Sequence, residues 1–146
     1  MDKLIIRETL ENKISDKISH LERLIEEARA SNNDTKSSMG DKYETSREML
    51  QQEINNLQKQ LNEVLSQQAV FRRISADSCS KVQNGALVKT DKGMFYISVS
   101  AGDLMIGGKK VTAVSPEAPL AKMMFGRKMG ETFAVNTIEQ TIQEIW

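Results

Sequence analysis

Between Met1 and Gln68 the chain contains no proline and one glycine, Gly40, and its apolar residues fall into two narrow stripes. Ile14, Ile18, Leu21, Ile25 and Ala28 are separated alternately by four and three residues, which gathers them on one face of an α-helix. Leu50, Ile54, Leu57, Leu61 and Val64 repeat the spacing, and projecting the stripe backward puts Arg47 and Tyr43 on the same seam, so the seam turns polar toward the segment that joins the two runs. That segment is only about a dozen residues long, so the simplest arrangement is an antiparallel two-helix coiled-coil hairpin whose stripes face each other. At 1.5 Å per residue, helices of roughly 27 residues are about 40 Å long. A pair of helices buries little apolar area, so the hairpin is expected to lean on the rest of the chain or on a partner.

Composition changes after this stretch. From Gly85 onward glycine recurs, and both prolines, Pro116 and Pro119, appear. The segments "GALVKT", "GMFYISVSA" and "KKVTAV" are short β-rich runs bounded by turn residues, with "TDKG" and "IGG" as hairpin turns. Ser115 reads as an N-cap with Pro116 in the first turn of a short helix through Leu120, Ala121, Met123, Met124 and Phe125, stopped by Gly126. Thr132 to Val135 and Ile138 to Ile145 read as closing strands, although "IEQTIQEIW" is also compatible with a helical turn. The predicted class is α+β: a helical hairpin over residues 1–72, a linker over 73–81, and a small β-sheet domain with one short helix over 82–146.

The charge balance excludes some functions. Twenty basic and twenty acidic residues cancel, so there is no net positive field to hold the chain non-specifically on nucleic acid, and no free DNA binding is expected. Cys79 is the single cysteine and has no internal disulfide partner. The start "MDKLIIRETLENK" lacks the apolar run of a signal peptide, and no window approaches eighteen consecutive apolar residues. A cytoplasmic protein without a membrane span is the expectation.

The stretch joining the two helical runs, "NNDTKSSMGDKYET" (residues 32–45), concentrates small polar residues, a glycine and carboxylates. In "EARASNNDTKSSMGDKYETSRE", an Glu-Ala-Arg that ends the first helix leads to Gly40, Asp41, Lys42, Tyr43 and Glu44 and then to Arg47-Glu48. This resembles the hairpin tip of the bacterial transcript-cleavage factors called Gre, where a Gly-Asp-x-x-Glu element occupies that place. "VSPEAPLAKMMFGRKMGETFAV" resembles the Gre carboxy-terminal pattern of a Ser-Pro, a small-residue helix, a Gly-Lys or Gly-Arg step and a Gly-Asp or Gly-Glu turn into a strand, most specifically over Ser115 to Glu131. The resemblance covers nearly the whole chain and implies an FKBP-like second domain.

The same resemblance implies a function. Gre factors push their hairpin through the secondary channel of RNA polymerase, and their tip carboxylates help hold a second Mg²⁺ and orient the water that cleaves backtracked RNA near its 3′ end. On that reading Asp41 and Glu44 are the catalytic and metal-holding pair, with Asp34 as the alternative to Asp41. The Mg²⁺ is shared with the polymerase, and the chain is a stimulator of another enzyme rather than an enzyme. The residue types suit the chemistry: Mg²⁺ selects carboxylate oxygens, and two metals about 4 Å apart stabilise both the attacking and the leaving oxygen of a phosphodiester. Carboxylates three apart on a helix share a face, yet two are too few to hold Mg²⁺ alone, as expected of a factor that completes another protein's site. The sequence departs from the family pattern where Thr45 and Ser46 follow Glu44 in place of Asn-Ala-Glu-Tyr, and where the turn is longer.

Other readings stand beside this one. Acids at a helix start favour the macrodipole, with Asp41 as a potential N-cap, and this requires no metal. A channel-binding regulator of the same shape without cleavage, a coiled-coil adaptor or chaperone, and a prolyl isomerase are the alternative functions; against the last, Phe95, Tyr96, Phe125 and Phe133 alternate with polar residues as a sheet core does. Lys36, Lys42 and Arg47 are candidates for RNA phosphate or simply solvated charges. Arg72 and Arg73 are candidates for an ion pair or a polymerase contact. "SAGDLMIGG" and the turn from Ser115 to Pro119 are the expected grip on the polymerase rim, and an exposed Met-Met-Phe on the short helix would suit a protein contact. His20 points away from the seam and reads as a surface residue, Cys79 has no evident activating neighbour, and "GDLMIGGKK" reads as a hairpin because it lacks phosphate-loop order.

Overall fold

The computed structural model describes residues 2–34 and 41–146, with the side chains of residues 33, 34 and 41–44 outside that description. Two long helices come first, α1 (Lys3–Asp34) and α2 (Asp41–Arg72). Six strands and one short helix follow: β1 (Leu87–Thr90), β2 (Met94–Ile97), β3 (Gly102–Ile106), β4 (Lys109–Val114), α3 (Pro119–Met124), β5 (Thr132–Val135) and β6 (Ile138–Ile145). The fold is α+β, as the sequence pattern predicts. Contacts divide the chain into one unit of Lys13–Gln68 and another of Met1–Asn12 with Ala69–Trp146.

In the first unit the predicted seam is the buried stripe. Ile14, Ile18, Leu21, Ile25 and Ala28 are buried on α1, and Ile54, Leu61 and Val64 on α2, with Leu50 and Leu57 half-buried. The helices run antiparallel: Asn32 and Arg47 line one cavity near the joining segment, and Glu11 meets Arg72 at their other ends. At 32 residues each, they are about 48 Å long, longer than the apolar spacing alone predicted.

In the second unit the strands form one sheet in the order β3-β4-β2-β1-β6-β5. Both expected hairpins form, β1–β2 across "TDKG" and β3–β4 across "IGG", where Gly107 and Gly108 supply the positive φ the turn needs. The pairing of β2 with β4 is parallel, because the chain leaves β2, crosses to the outer edge as β3 and returns inside it. Residues 138–145 are strand rather than helical turn. The short helix starts later than expected: Pro119 is its first residue and Ala118 its N-cap, with no side-chain capping bond. Ser115 and Pro116 instead make a turn closed by the Ala118 amide donating to the Ser115 carbonyl (3.1 Å). Gly126 (φ 81°) ends the helix as predicted.

The sheet buries both faces. On one, Val82, Ala86, Val88, Ile97 and Ile142 pack with Ala121 and Met124 of α3 and with Phe133 of β5. Strand alternation sends Leu87, Tyr96 and Val111 to the other face; all three are fully buried, as are Ile6, Leu10 and Phe71 from the starting turns of α1 and the last turn of α2. Arg7 ties these layers together. Its Nη1 donates to the Tyr96 hydroxyl (2.8 Å), and its guanidinium lies 5.0 Å from the centre of the Phe71 ring.

Candidate functional site

The residues that join the two long helices are bracketed by the predicted acids. Asp34 is the last residue of α1, Asp41 the first of α2, and Glu44 completes the first turn of α2; their side chains, and all of residues 35–40 including Lys36 and Gly40, lie outside the described residues. The backbone alone separates the candidates. Asp41 and Glu44 sit at the N-terminal end of a 32-residue helix, where the macrodipole favours negative charge by about 0.3 to 1 kcal/mol, whereas Asp34 sits at a C-terminal end, where it is opposed. Two carboxylates three residues apart are hard oxygen donors of the kind Mg²⁺ takes, and they are fewer than the six ligands it needs. Among the described residues no three His, Cys, Asp or Glu side chains are grouped as a metal would require.

One turn further along α2, Arg47 is half-buried, as a seam position should be, and lines a cavity of about 340 Å³ with Asn32, Glu48 and Gln51. The side chains of Lys42 and Tyr43 lie outside the described ones. Thr45 and Ser46, which replace the expected continuation after Glu44, are exposed.

The remaining candidates resolve individually. Arg72 is an ion-pair residue: its Nε and Nη2 both reach Glu11 Oε1 at 3.2 Å, between exposed side chains, so the pair contributes little to stability. Arg73 is exposed. His20 is exposed as predicted, with its Nδ1 3.0 Å from Arg23 Nη2. Of the Met-Met-Phe run, Met124 is core while Met123 and Phe125 are exposed, as is Met129. β3 is an edge strand with Met105 largely exposed, and Pro119 is exposed at the start of α3.

Cys79 differs from the expectation. It has polar neighbours: Lys3 Nζ lies 3.8 Å from its sulfur and Gln83 Nε2 3.3 Å. Lys3 is buried, donates to the Asp77 carbonyl (2.6 Å) and the Trp146 carbonyl (3.1 Å), and is held below its ordinary pKa chiefly by burial, with the nearby Cys79 acting in the opposite direction. Burial likewise raises the Tyr96 phenol, against the opposing hydrogen bond from Arg7. Nothing local in the sequence signals these groupings, because Lys3 meets residues 74 and 143 positions away.

No family model and no curated protein sequence matches the chain. Among solved structures it is similar to GreA factor homolog 1 (Gfh1) of Thermus thermophilus, at 12% identity and a TM-score of 0.36 over 93% of this chain and 94% of that one. A structure of the transcription factor Gfh1 matches at 13% identity and a TM-score of 0.38 over 92% of each chain. Thermus aquaticus Gfh1 matches at 14% identity and a TM-score of 0.36, also over 92% of each. Likeness at this level assigns no activity to the chain. No helix among the described residues is long and apolar enough to cross a membrane.

Proposed function

We propose that this chain is a Gre-type transcription elongation factor that enters the secondary channel of RNA polymerase and stimulates the polymerase to cleave backtracked RNA. The observation that carries the proposal is the position of Asp41 and Glu44: they form the first turn of α2, directly after the six residues that connect two antiparallel helices of 32 residues each. Acids at the closed end of a long hairpin are suited to delivery into another protein's recessed site. The likeness of Gly40–Glu44 and of Ser115–Glu131 to the Gre patterns supports the same reading.

On this proposal the chain is no enzyme by itself. Mg²⁺, shared with the polymerase, would supply charge stabilisation at the cleaved phosphodiester. Asp41 and Glu44 would help hold it and would accept hydrogen bonds from the attacking water, close to the RNA 3′ end. The second unit would grip the channel rim, with the exposed Met105 on edge strand β3 and the turn from Ser115 to Pro119 as its surfaces. A second reading, a channel-binding regulator without cleavage, is favoured by Thr45 and Ser46 in place of the family continuation after Glu44.

RNA cleavage in purified, backtracked bacterial transcription complexes tests the proposal. The wild-type chain should shorten the RNA, and Asp41→Ala, Glu44→Ala should lower the rate about 100-fold or more while leaving polymerase binding intact. Asp34→Ala should retain most activity. Binding without cleavage by the wild type would select the second reading, and absence of binding would refute both.

A further inference from the structure

The proposed function leaves one nucleophilic pair unused. Cys79, the single cysteine, is half-buried in the segment between α2 and β1, and the first turn of α1 places Lys3 against it, with Nζ 3.8 Å from Sγ. The two residues are 76 positions apart in sequence, yet both belong to the unit that contains the sheet. Lys3 is only 8% exposed, and the acceptors in reach of its Nζ are the Asp77 carbonyl at 2.6 Å, the Trp146 carbonyl at 3.1 Å and the Cys79 sulfur. Gln83 Nε2 donates to the same sulfur at 3.3 Å, so two side chains converge on it.

This placement orients the amine. A neutral lysine amine has two N–H groups and one lone pair, and the two carbonyls, as the closer acceptors, take the N–H groups. The lone pair is then left to the remaining neighbour, the sulfur. Burial makes the neutral form more accessible, because it holds Lys3 below its ordinary pKa against the opposing influence of Cys79. The separation exceeds an S–N bond by about 2 Å, which rotation of a flexible four-carbon stem can close.

We infer that Lys3 and Cys79 form an oxidation-dependent covalent link, a sulfenamide between Nζ and Sγ, when a hydroperoxide reaches the thiol. Hydrogen peroxide first transfers one oxygen to sulfur: the thiol is oxidised by two electrons to a sulfenic acid, and the O–O bond breaks with release of water. The Lys3 lone pair then attacks sulfur. The S–N bond forms as the S–O bond breaks, and the departing hydroxide takes a proton from the amine to leave as a second water. That step is redox-neutral, so each link consumes one peroxide. Two equivalents of a thiol reductant reverse it, giving back the cysteine and the amine with one disulfide of the reductant. The link ties the first turn of α1 to the segment that leads into the sheet, and sequence reading passes over it because nothing local pairs residues 3 and 79.

Tryptic mapping of the full chain after treatment with limiting hydrogen peroxide tests the inference. Eight methionines also take up oxygen, so the readout is a linked peptide rather than the intact mass. A lysine bonded to sulfur through Nζ is no longer a trypsin site, so residues 1–7 should appear joined to residues 74–81, about 2 Da lighter than the sum of the two free peptides. Dithiothreitol should abolish the linked peptide. Unfolding in guanidinium chloride before oxidation should lower its yield at least tenfold, since the contact exists only in the folded chain. Lys3→Arg should yield no link and leave Cys79 as a sulfenic acid that dimedone traps. Wild-type Cys79 found only as sulfenic or sulfinic acid, or equal yields from folded and unfolded chain, would overturn the inference. So would the same mass loss confined to residues 74–81, which marks attack by a backbone amide, or a disulfide between two copies of Cys79. The assay contains no polymerase, so its failure leaves the proposed function untouched.

Discussion

If the hairpin acts by reach, its length is a functional quantity. Deleting residues 18–24 and 57–63 removes one matched heptad from each helix and moves the helix junction back by seven residues, about 10 Å at 1.5 Å per residue. The seam survives the cut: Ile25 follows Ile14 at the spacing Ile18 had, and Val64 follows Ile54 at the spacing of Leu57. The apolar side chains lost are Ile18, Leu21, Leu24, Leu57 and Leu61, while the core of Val82, Val88, Ile97, Met124, Phe133 and Ile142 is untouched. A retreat of about 10 Å is more than twice the roughly 4 Å that separates paired metals in a phosphodiester-cleaving site, so carboxylates displaced that far reach neither the metal nor the attacking water. Cleavage in backtracked complexes should therefore fall to the level of polymerase alone. Trp146 emission should match wild type, and circular dichroism should show long helices retained. A shortened chain that still cleaves within about threefold of the wild-type rate would refute the argument from reach, because a tenfold loss already corresponds to only 1.4 kcal/mol in the barrier.

Three further predictions follow from the second unit. Gly85→Ala should destabilise it by about 2 to 5 kcal/mol in urea unfolding, because φ there is 87° and a Cβ would lie 2.8 Å from the Ser75 carbonyl oxygen and 3.1 Å from Ile74 Cγ2. Tyr96→Phe should cost about 1 to 2 kcal/mol through the lost bond from the Arg7 guanidinium, and a double-mutant cycle with Arg7→Met should recover most of that as coupling. Lys3 gives a pH dependence: its folded pKa lies below the ordinary 10.5, so the folded state sheds its proton first, and the linked stability is present above 10.5 and lost as pH falls through the folded value. Wild-type stability should thus rise toward pH 10.5 relative to Lys3→Met, and parallel profiles would contradict the burial of that ammonium.

The sequence by itself determined whatever is periodic or locally punctuated. Alternating fours and threes placed Ile14 to Ala28 and Ile54 to Val64 on buried stripes, and "TDKG" and "IGG" marked hairpins that form, because a helix face and a tight turn depend on residues a few positions apart. Glycine at 126 stopped α3, although the Ser-Pro signal at 115–116 was spent on a turn and Pro119 opened the helix instead. Tertiary structure decided the rest. The parallel pairing of β2 with β4, the covering of Leu87 and Tyr96, and the Lys3 contacts with Asp77, Cys79 and Trp146 all join residues distant along the chain. Such contacts are selected by burial and by the need to satisfy polar groups in the assembled sheet, quantities that exist only once the strands have met.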